Sequence, residues 1–455
     1  MNGALRIPSP FMTLDELRTE VEAGRIDTVL LCLTDMQGRL QGKRMHARFF
    51  VDEVAAHGAE ACNYLLAVDV EMNTVDGYEM SSWAQGYGDF VMAPDLSTLM
   101  VVPWLEATAL CLVDLRWEDG GDVVASPRQI LRAQLDRLAE RGWTANAGSE
   151  LEFIVFENSY EDAWDRRYTG LTPANRYNVD YSMLGTARVE PLIRAIRNAM
   201  AGAGMRVEDS KGECNLGQHE INFRYADALT TCDRHVVFKN GAKEIAAQHG
   251  SSITFMAKWD EREGNSCHLH LSLAEAEGGA NVFATDDALF SSFLAGAIAG
   301  LRELTLLLAP NVNSYKRFAA GSFAPTAVAW GNDNRTCAFR VVGHGPGRRF
   351  ECRLPGGDVN PYLAVAGLVA AGLHGVEQGL ELPEPCTGNA YAAEDVEHVP
   401  TTLREARDLF AASEIARTAF GEEVVRHYVN MADVELAAYD AAVTDWERVR
   451  GFERL

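Results

Sequence analysis

Two short segments of this chain alternate polar and apolar residues with a period of two, and their polar positions are acids and histidines. In Ser149-Glu150-Leu151-Glu152-Phe153-Ile154-Val155-Phe156 a strand places Glu150, Glu152, Ile154 and Phe156 on one face and Leu151, Phe153 and Val155 on the other. Both faces are then partly covered. Two carboxylates on one half-buried face repel each other and lose hydration, so each needs a cation or a donor, unless the strand end frays and leaves both in water. Ser266-Cys267-His268-Leu269-His270-Leu271-Ser272-Leu273 puts His268, His270 and Ser272 on one face with three leucines opposite, the pattern of a lined site rather than of stray histidines.

Two further segments extend the pattern. Gly212-Glu213-Cys214-Asn215-Leu216-Gly217-Gln218-His219-Glu220-Ile221-Asn222-Phe223 brings a glycine-interrupted loop and two more acids into a strand, which by itself does not define a site. Residues 335–353 hold Arg335, Arg340, Arg348, Arg349, Glu351 and Arg353 in a chain otherwise poor in cations, and Arg349, Glu351 and Arg353 share one strand face. Planar guanidinium forks suit phosphate and carboxylate oxygens, although salt bridging to the acidic surplus explains any one of these arginines singly. Gly343-His344-Gly345-Pro346-Gly347 matches no phosphate-loop signature and reads as a mobile turn. Together, the acids, the histidine pair and the arginine cluster describe a site for divalent metals and a nucleoside triphosphate. Hard oxygen donors without a thiolate set indicate Mg²⁺ or Mn²⁺.

Elsewhere the chain reads as an α+β protein. Thr13-Leu14-Asp15-Glu16 forms a capping box, a strand follows over 28–33, and Asp35-Met36-Gln37-Gly38-Arg39 supplies a turn, so the first hundred residues predict a small mixed domain built round hairpins. Trp117 to Asp122 marks a boundary, giving domains of 1–119 and 120–455. Beyond it Ser126-Pro127-Arg128-Gln129 predicts an N-cap, a first-turn proline and a capping glutamine, with Gly142 ending the helix. Asn360-Pro361 opens a helix with so little polar face that it must be buried.

Composition narrows the class of function. A formal net charge of −24 argues against nucleic acid and favours cationic ligands. Nine scattered cysteines without a C-x-x-C pair fit a reducing cytosol, and neither a leader pattern nor a bilayer-length apolar run is present, so a cytoplasmic protein without a membrane partner is expected.

The order of these segments resembles the glutamine synthetase superfamily over nearly the whole chain. The matching pieces are E-L-E-F at 150–153, G-Q-H-E at 217–220, F-M-A-K at 255–258 leading to H-L-H at 268–270, N-S-Y-K-R at 313–317, N-R-T at 334–336, and F-E-C-R at 350–353 followed by N-P-Y at 360–362. The resemblance implies an N-terminal β-grasp domain, a catalytic domain with an antiparallel funnel-shaped sheet, and usually a homododecamer of two stacked hexameric rings. By position it implies that Glu152, Glu213 and Glu220 hold one metal and Glu150, His268 and Glu351 another. Arg317 and Arg353 would meet the glutamate carboxylate, with Gly264 near its amino group; His270, Ser272, Arg335, Arg340 and Arg349 would face ATP, and Arg317 and Arg335 would take catalytic roles. The implied reaction is transfer of the γ-phosphoryl group to glutamate, then attack of an amine on the γ-glutamyl phosphate.

Departures from the family pattern select among its members. Family members that use ammonia carry D-G-S-S where this chain has Asn63-Tyr64-Leu65-Leu66-Ala67-Val68, and a glutamate where it has Phe323. Asn265 and Ser266 replace a serine and a glycine, and Glu263 replaces an asparagine. With Phe323, Tyr64 and Leu65 as its amine pocket, the chain resembles the γ-glutamylamine branch, which includes γ-glutamylpolyamine and γ-glutamylethanolamide synthetases. Ethanolamine is slightly favoured, with putrescine-like amines close behind. The rival readings are an ammonia-using glutamine synthetase and a non-catalytic assembly protein. Tyr391 lies near a tyrosine that is adenylylated in some relatives, but its flanking sequence differs and modification is not predicted. Alanine at Glu152 or Glu351 is expected to abolish phosphate release while sparing the fold.

Overall fold

A computed structural model describes residues 11–455. Thr13 caps the helix Leu14–Glu22 as expected: its Oγ1 accepts from the Glu16 amide at 3.2 Å, and the Glu16 carboxylate accepts from the Thr13 amide at 2.7 Å. Six strands follow: β1 (Thr28–Thr34), β2 (Leu40–His46), β3 (Ala59–Cys62), β4 (Asp89–Pro94), β5 (Met100–Val101) and β6 (Thr108–Arg116). They form one sheet in the order β2-β1-β6-β4-β3, with β5 against β6. Apolar on nearly every residue, β1 lies between antiparallel β2 and parallel β6. Hairpins thus account for only part of this domain; the β1–β6 pairing joins strands far apart in sequence.

The turn between β1 and β2 is built by Asp35, whose buried carboxylate accepts from the amides of Gln37 and Arg39 at 3.0 and 2.8 Å. Gly38 takes φ +75° there, a conformation that disfavours any side chain, and a Cβ would press on Asn360 Cα at 3.2 Å. Asn360 in turn donates to the carbonyls of Asp35 and Met36, both at 3.1 Å, while capping the helix Pro361–Gln378. One residue thereby ties the first sheet to the central helix of the rest of the chain. That helix is almost wholly buried, as its composition requires, and crosses Asp287–Ala299 closely enough that a Cβ on Gly296 would meet Gly375 Cα at 2.6 Å.

The helix Pro127–Ala139 begins at the expected proline, but its capping is not as predicted. Ser126 makes no side-chain cap bond, and Gln129 Oε1 instead accepts from the Leu115 amide in β6 at 2.9 Å, a tertiary bond that outcompetes the local one.

Nine strands make the second sheet: β7 (Trp143–Phe156), β8 (Val207–Gly212), β9 (Gln218–Phe223), β10 (Ala226–Asp227), β11 (Ser252–Thr254), β12 (Cys267–Glu275), β13 (Trp330–Asn332), β14 (Phe339–Val342) and β15 (Arg349–Cys352). Their order is β13-β14-β15-β12-β7-β9-β8, with β10 and β11 also on β7, and the sheet curls into a nearly closed funnel. It is antiparallel except for β13 and β14, which run parallel, so the sheet is mixed rather than purely antiparallel. None of the described helices is long and apolar enough to cross a membrane. All nine cysteines are free thiols.

Candidate active site

Strand register gathers the ionisable residues. Glu150 on β7 lies opposite His268 on β12 and Asn222 on β9; Glu152 lies opposite Glu220; and on the far side of β12, His270 lies opposite Glu351, itself opposite Arg340. Cross-strand neighbours on one face have Cβ atoms about 5 Å apart, so this register alone brings the charges into contact. Two trios lie on this face, each with one ligand-type atom per residue mutually within 4.8 Å: Glu150, His268 and Glu351 from the strands, and Glu152 and Glu220 joined by Glu213 from the loop after β8; Glu213 also groups with the more exposed Asp180 and Cys214.

A continuous polar chain runs through the first trio. Arg349 Nε donates to His270 Nδ1 at 3.2 Å, which leaves the proton on Nε2 to bond Glu150 Oε1 at 2.8 Å. His268 Nδ1 lies 3.2 Å from Glu150 and 3.4 Å from Glu351. Glu351 has no exposed side-chain surface and is held by Arg340 Nη1 at 2.9 Å and by Arg353 Nη1. Burial raises the energy of both carboxylates, but the histidines outweigh it at Glu150, and His268 and Arg353 do so at Glu351, so both titrate below the usual range.

The second trio has the opposite balance. Burial and the neighbouring Glu152 push the Glu220 carboxyl well above the usual range, although Lys211 pulls the other way. Glu152 Oε2 accepts from the Ser266 amide at 2.7 Å and from Gln218 at 3.1 Å, and Gln218 also donates to Gly264 O at 2.9 Å and Asn265 at 3.0 Å. Three carboxylates assembled with too little positive charge are fitted to a hard divalent cation, and so is the first trio with its two carboxylates and one imidazole.

Arg317 is fully buried behind Gly264, where a Cβ would sit 2.7 Å from Arg317 Cγ. Its guanidinium donates to Leu354 O at 2.7 Å, Arg353 O at 3.1 Å and Ser266 Oγ at 3.3 Å, which leaves Nε buried without a partner. Arg317 therefore braces Arg353 and Ser266 from behind. Arg353 Nε donates to the carbonyl of Arg335 at 3.2 Å, while the Arg335 side chain is exposed.

The residues expected to face a nucleotide divide among three clefts, Arg335 lining one of about 490 Å³ beside Asn332 and Asp333. His270, Ser272 and Arg349, with Glu150, line another of about 830 Å³. Arg340 lines an adjoining one of about 650 Å³ and is bound to Asp333 as well as Glu351. The glycine-rich turn separates the latter two. Asn281 fastens it by donating to Pro346 O and Arg348 O, both at 2.8 Å, so a stretch read as a mobile turn is instead a tethered wall bordering both clefts.

Phe323 stands in the loop after Arg317, 55% exposed and at φ +59°, a conformation unfavourable for a bulky side chain and most often kept where a site requires it. Tyr391 packs beneath this loop, donating to Ala324 O at 3.0 Å. Tyr64 and Leu65 lie in the other sheet's domain, on the turn after β3, where Tyr64 meets Tyr87 edge-on at 6.4 Å. Sequence reading missed Lys211, which bonds Glu213 and lies 3.7 Å from Glu220. The available signal was a lysine two residues before a candidate ligand in an acidic strand pair.

Comparison with known proteins agrees with this geometry. The family described as glutamine synthetase, catalytic domain, matches residues 124–450. The chain is 67% identical over 450 residues to gamma-glutamylethanolamide synthetase GlnA4 of Streptomyces coelicolor, covering 98% of this chain and 97% of that one. It is 38% identical to glutamate–isopropylamine ligase of a Pseudomonas species, covering 96% and 97%. A solved structure described as a GmaS/ADP complex superposes with a TM-score of 0.84 at 28% identity, covering 97% of this chain and 100% of that chain. Two acid-lined trios on a funnel sheet, a catalytic-domain match over most of the chain and relatives aligned along nearly their full lengths make the protein a member of the glutamine synthetase family.

Proposed function

We propose that the protein is an ATP-dependent glutamate–amine ligase that activates the γ-carboxylate of glutamate as an acyl phosphate and transfers the γ-glutamyl group to a small organic amine. Ethanolamine is favoured, a choice supported by the 67% identity to an ethanolamide-forming relative, with putrescine-like amines as competitors. The observation that carries the reaction class is the pair of trios on one sheet face beside the cleft of His270, Ser272 and Arg349.

Bound Mg²⁺ or Mn²⁺, two or more per site, would neutralise charge on the transferred phosphoryl group. Glu150, His268 and Glu351 would hold one and Glu152, Glu213 and Glu220 the other. His270 and Arg349 orient Glu150 through their hydrogen-bond chain, and with Ser272 they border the nucleotide. Arg340 holds Glu351 at 2.9 Å from the neighbouring cleft, where it would also face ATP, and Arg335 would reach the phosphates from its exposed loop. The missing side chain of Gly264 makes room for Arg317 and the Ala257 carbonyl, and its backbone would border the amino group of glutamate, whose carboxylate is taken by Arg353, braced by Arg317.

Phe323 supplies apolar area and no proton acceptor, so ammonium loses the groups that would replace its hydration, whereas each methylene of an organic amine gains about 0.8 kcal/mol on burial. With saturating glutamate and ATP, kcat/KM for ethanolamine or putrescine is expected to exceed that for ammonium, with spermidine as a further comparison. Highest kcat/KM with ammonium would refute the amine assignment. Phe323→Glu is expected to shift preference towards ammonium.

In this reading, Tyr64 and Leu65 in the N-terminal domain (1–119) of one subunit wall the amine pocket of the catalytic domain (120–455) of the next, within a cytoplasmic ring of twelve. Light scattering is expected to give the mass of a large ring. A fully active monomer would contradict this arrangement.

A further inference from the structure

The row Glu152–Glu220–Lys211 crosses three adjacent strands: Glu152 on β7 pairs with Glu220 on β9, and Glu220 pairs with Lys211 on β8. The Lys211 ammonium bonds Glu213, lies 3.7 Å from Glu220 Oε1, and stands 4.9 Å from the centre of the Tyr181 ring. It thus lies against two of the three carboxylates whose ligand atoms gather within 4.8 Å of one another, and competes with a metal for their charge. A lysine is a strongly hydrated point charge on a flexible four-carbon stem, able to neutralise carboxylates and equally able to withdraw, here towards the exposed face of Tyr181.

We propose that Lys211 is a resident counter-cation of the Glu152, Glu213 and Glu220 group, which a divalent metal must displace, so that this lysine sets the metal affinity of the site. The inference rests on the reading of this trio as a metal site. Without metal, Lys211 keeps three like charges together; with metal, repulsion between ammonium and ion weakens binding and favours release. Lys211 acts through the carboxylates and is a positioning residue.

Titrating the full-length protein with Mn²⁺ and counting free ion by electron paramagnetic resonance separates the possibilities. Lys211→Met and Lys211→Gln are each expected to bind one Mn²⁺ about tenfold or more tightly than the parent, because a positive charge near the ion is gone, and Lys211→Arg is expected to stay near the parent value. A purely structural ion pair predicts unchanged or weaker binding in the neutral variants. That result, or failure of both neutral variants to fold, overturns the proposal. A parent protein that binds no Mn²⁺ even with ATP present would refute the metal reading itself.

Discussion

Replacing Glu351 with alanine is expected to abolish phosphate release and to cost about 3–5 kcal/mol of stability, whereas Glu220→Gln is expected to lose activity by at least about a hundredfold with stability unchanged or raised. The difference lies in the neighbours. Glu351 is enclosed by Arg353, Arg340 and His268, so its removal leaves buried cations without a counter-charge. Glu220 faces Glu152 in a cluster short of positive charge, and an amide there relieves repulsion while still accepting from Asn222 at 2.8 Å. Sequence reasoning expected alanine at Glu152 or Glu351 alike to spare the fold; the guanidinium groups packed against Glu351 predict a cost there that Glu152, among carboxylates, does not carry. Thermal unfolding alongside a phosphate-release assay checks both variants. Equal stability of Glu351→Ala and the parent would refute the ion-pair account.

Arg128→Met is expected to destabilise the protein by about 3–5 kcal/mol without touching the site directly. The Arg128 side chain is 3% exposed and links the first sheet to a helix behind the second: it donates to Asp114 at 2.6 Å and Asp95 at 2.7 Å beside the first sheet, and twice to Asp233 at 2.9 Å on the helix Ala228–Gln248. Tyr362 donates to the same Asp233 at 2.7 Å. Arg132 also reaches Asp95 and Asp114, so the variant leaves Asp233 the least compensated. Denaturant unfolding of Arg128→Met and of Asp233→Asn measures the effect. A change within about 0.5 kcal/mol, typical of a surface pair, would show that the network adds nothing.

Much of the site was legible because the relevant signals are local. A period of two fixes which side chains share a strand face, so the alternation of Glu150 with Glu152 and of His268 with His270 stated their companionship before any pairing was known. The Thr13 capping box and the buried helix after Asn360 were likewise local, set by a side chain and an amide three positions away or by an apolar residue at nearly every position.

Register and charge balance belong to the tertiary structure. Nothing along the chain says that Glu351 comes opposite His270, that Gln129 abandons its own helix end for β6, or that Asn281 pins the glycine-rich turn; each partner is 14 residues away or more. The sequence by itself determined which residue types the site contains and which strand faces present them, since side-chain direction alternates with the backbone. Only the fold decided which acids meet guanidinium groups and which meet other acids, because the energy of a buried charge depends on the charges packed round it from other strands.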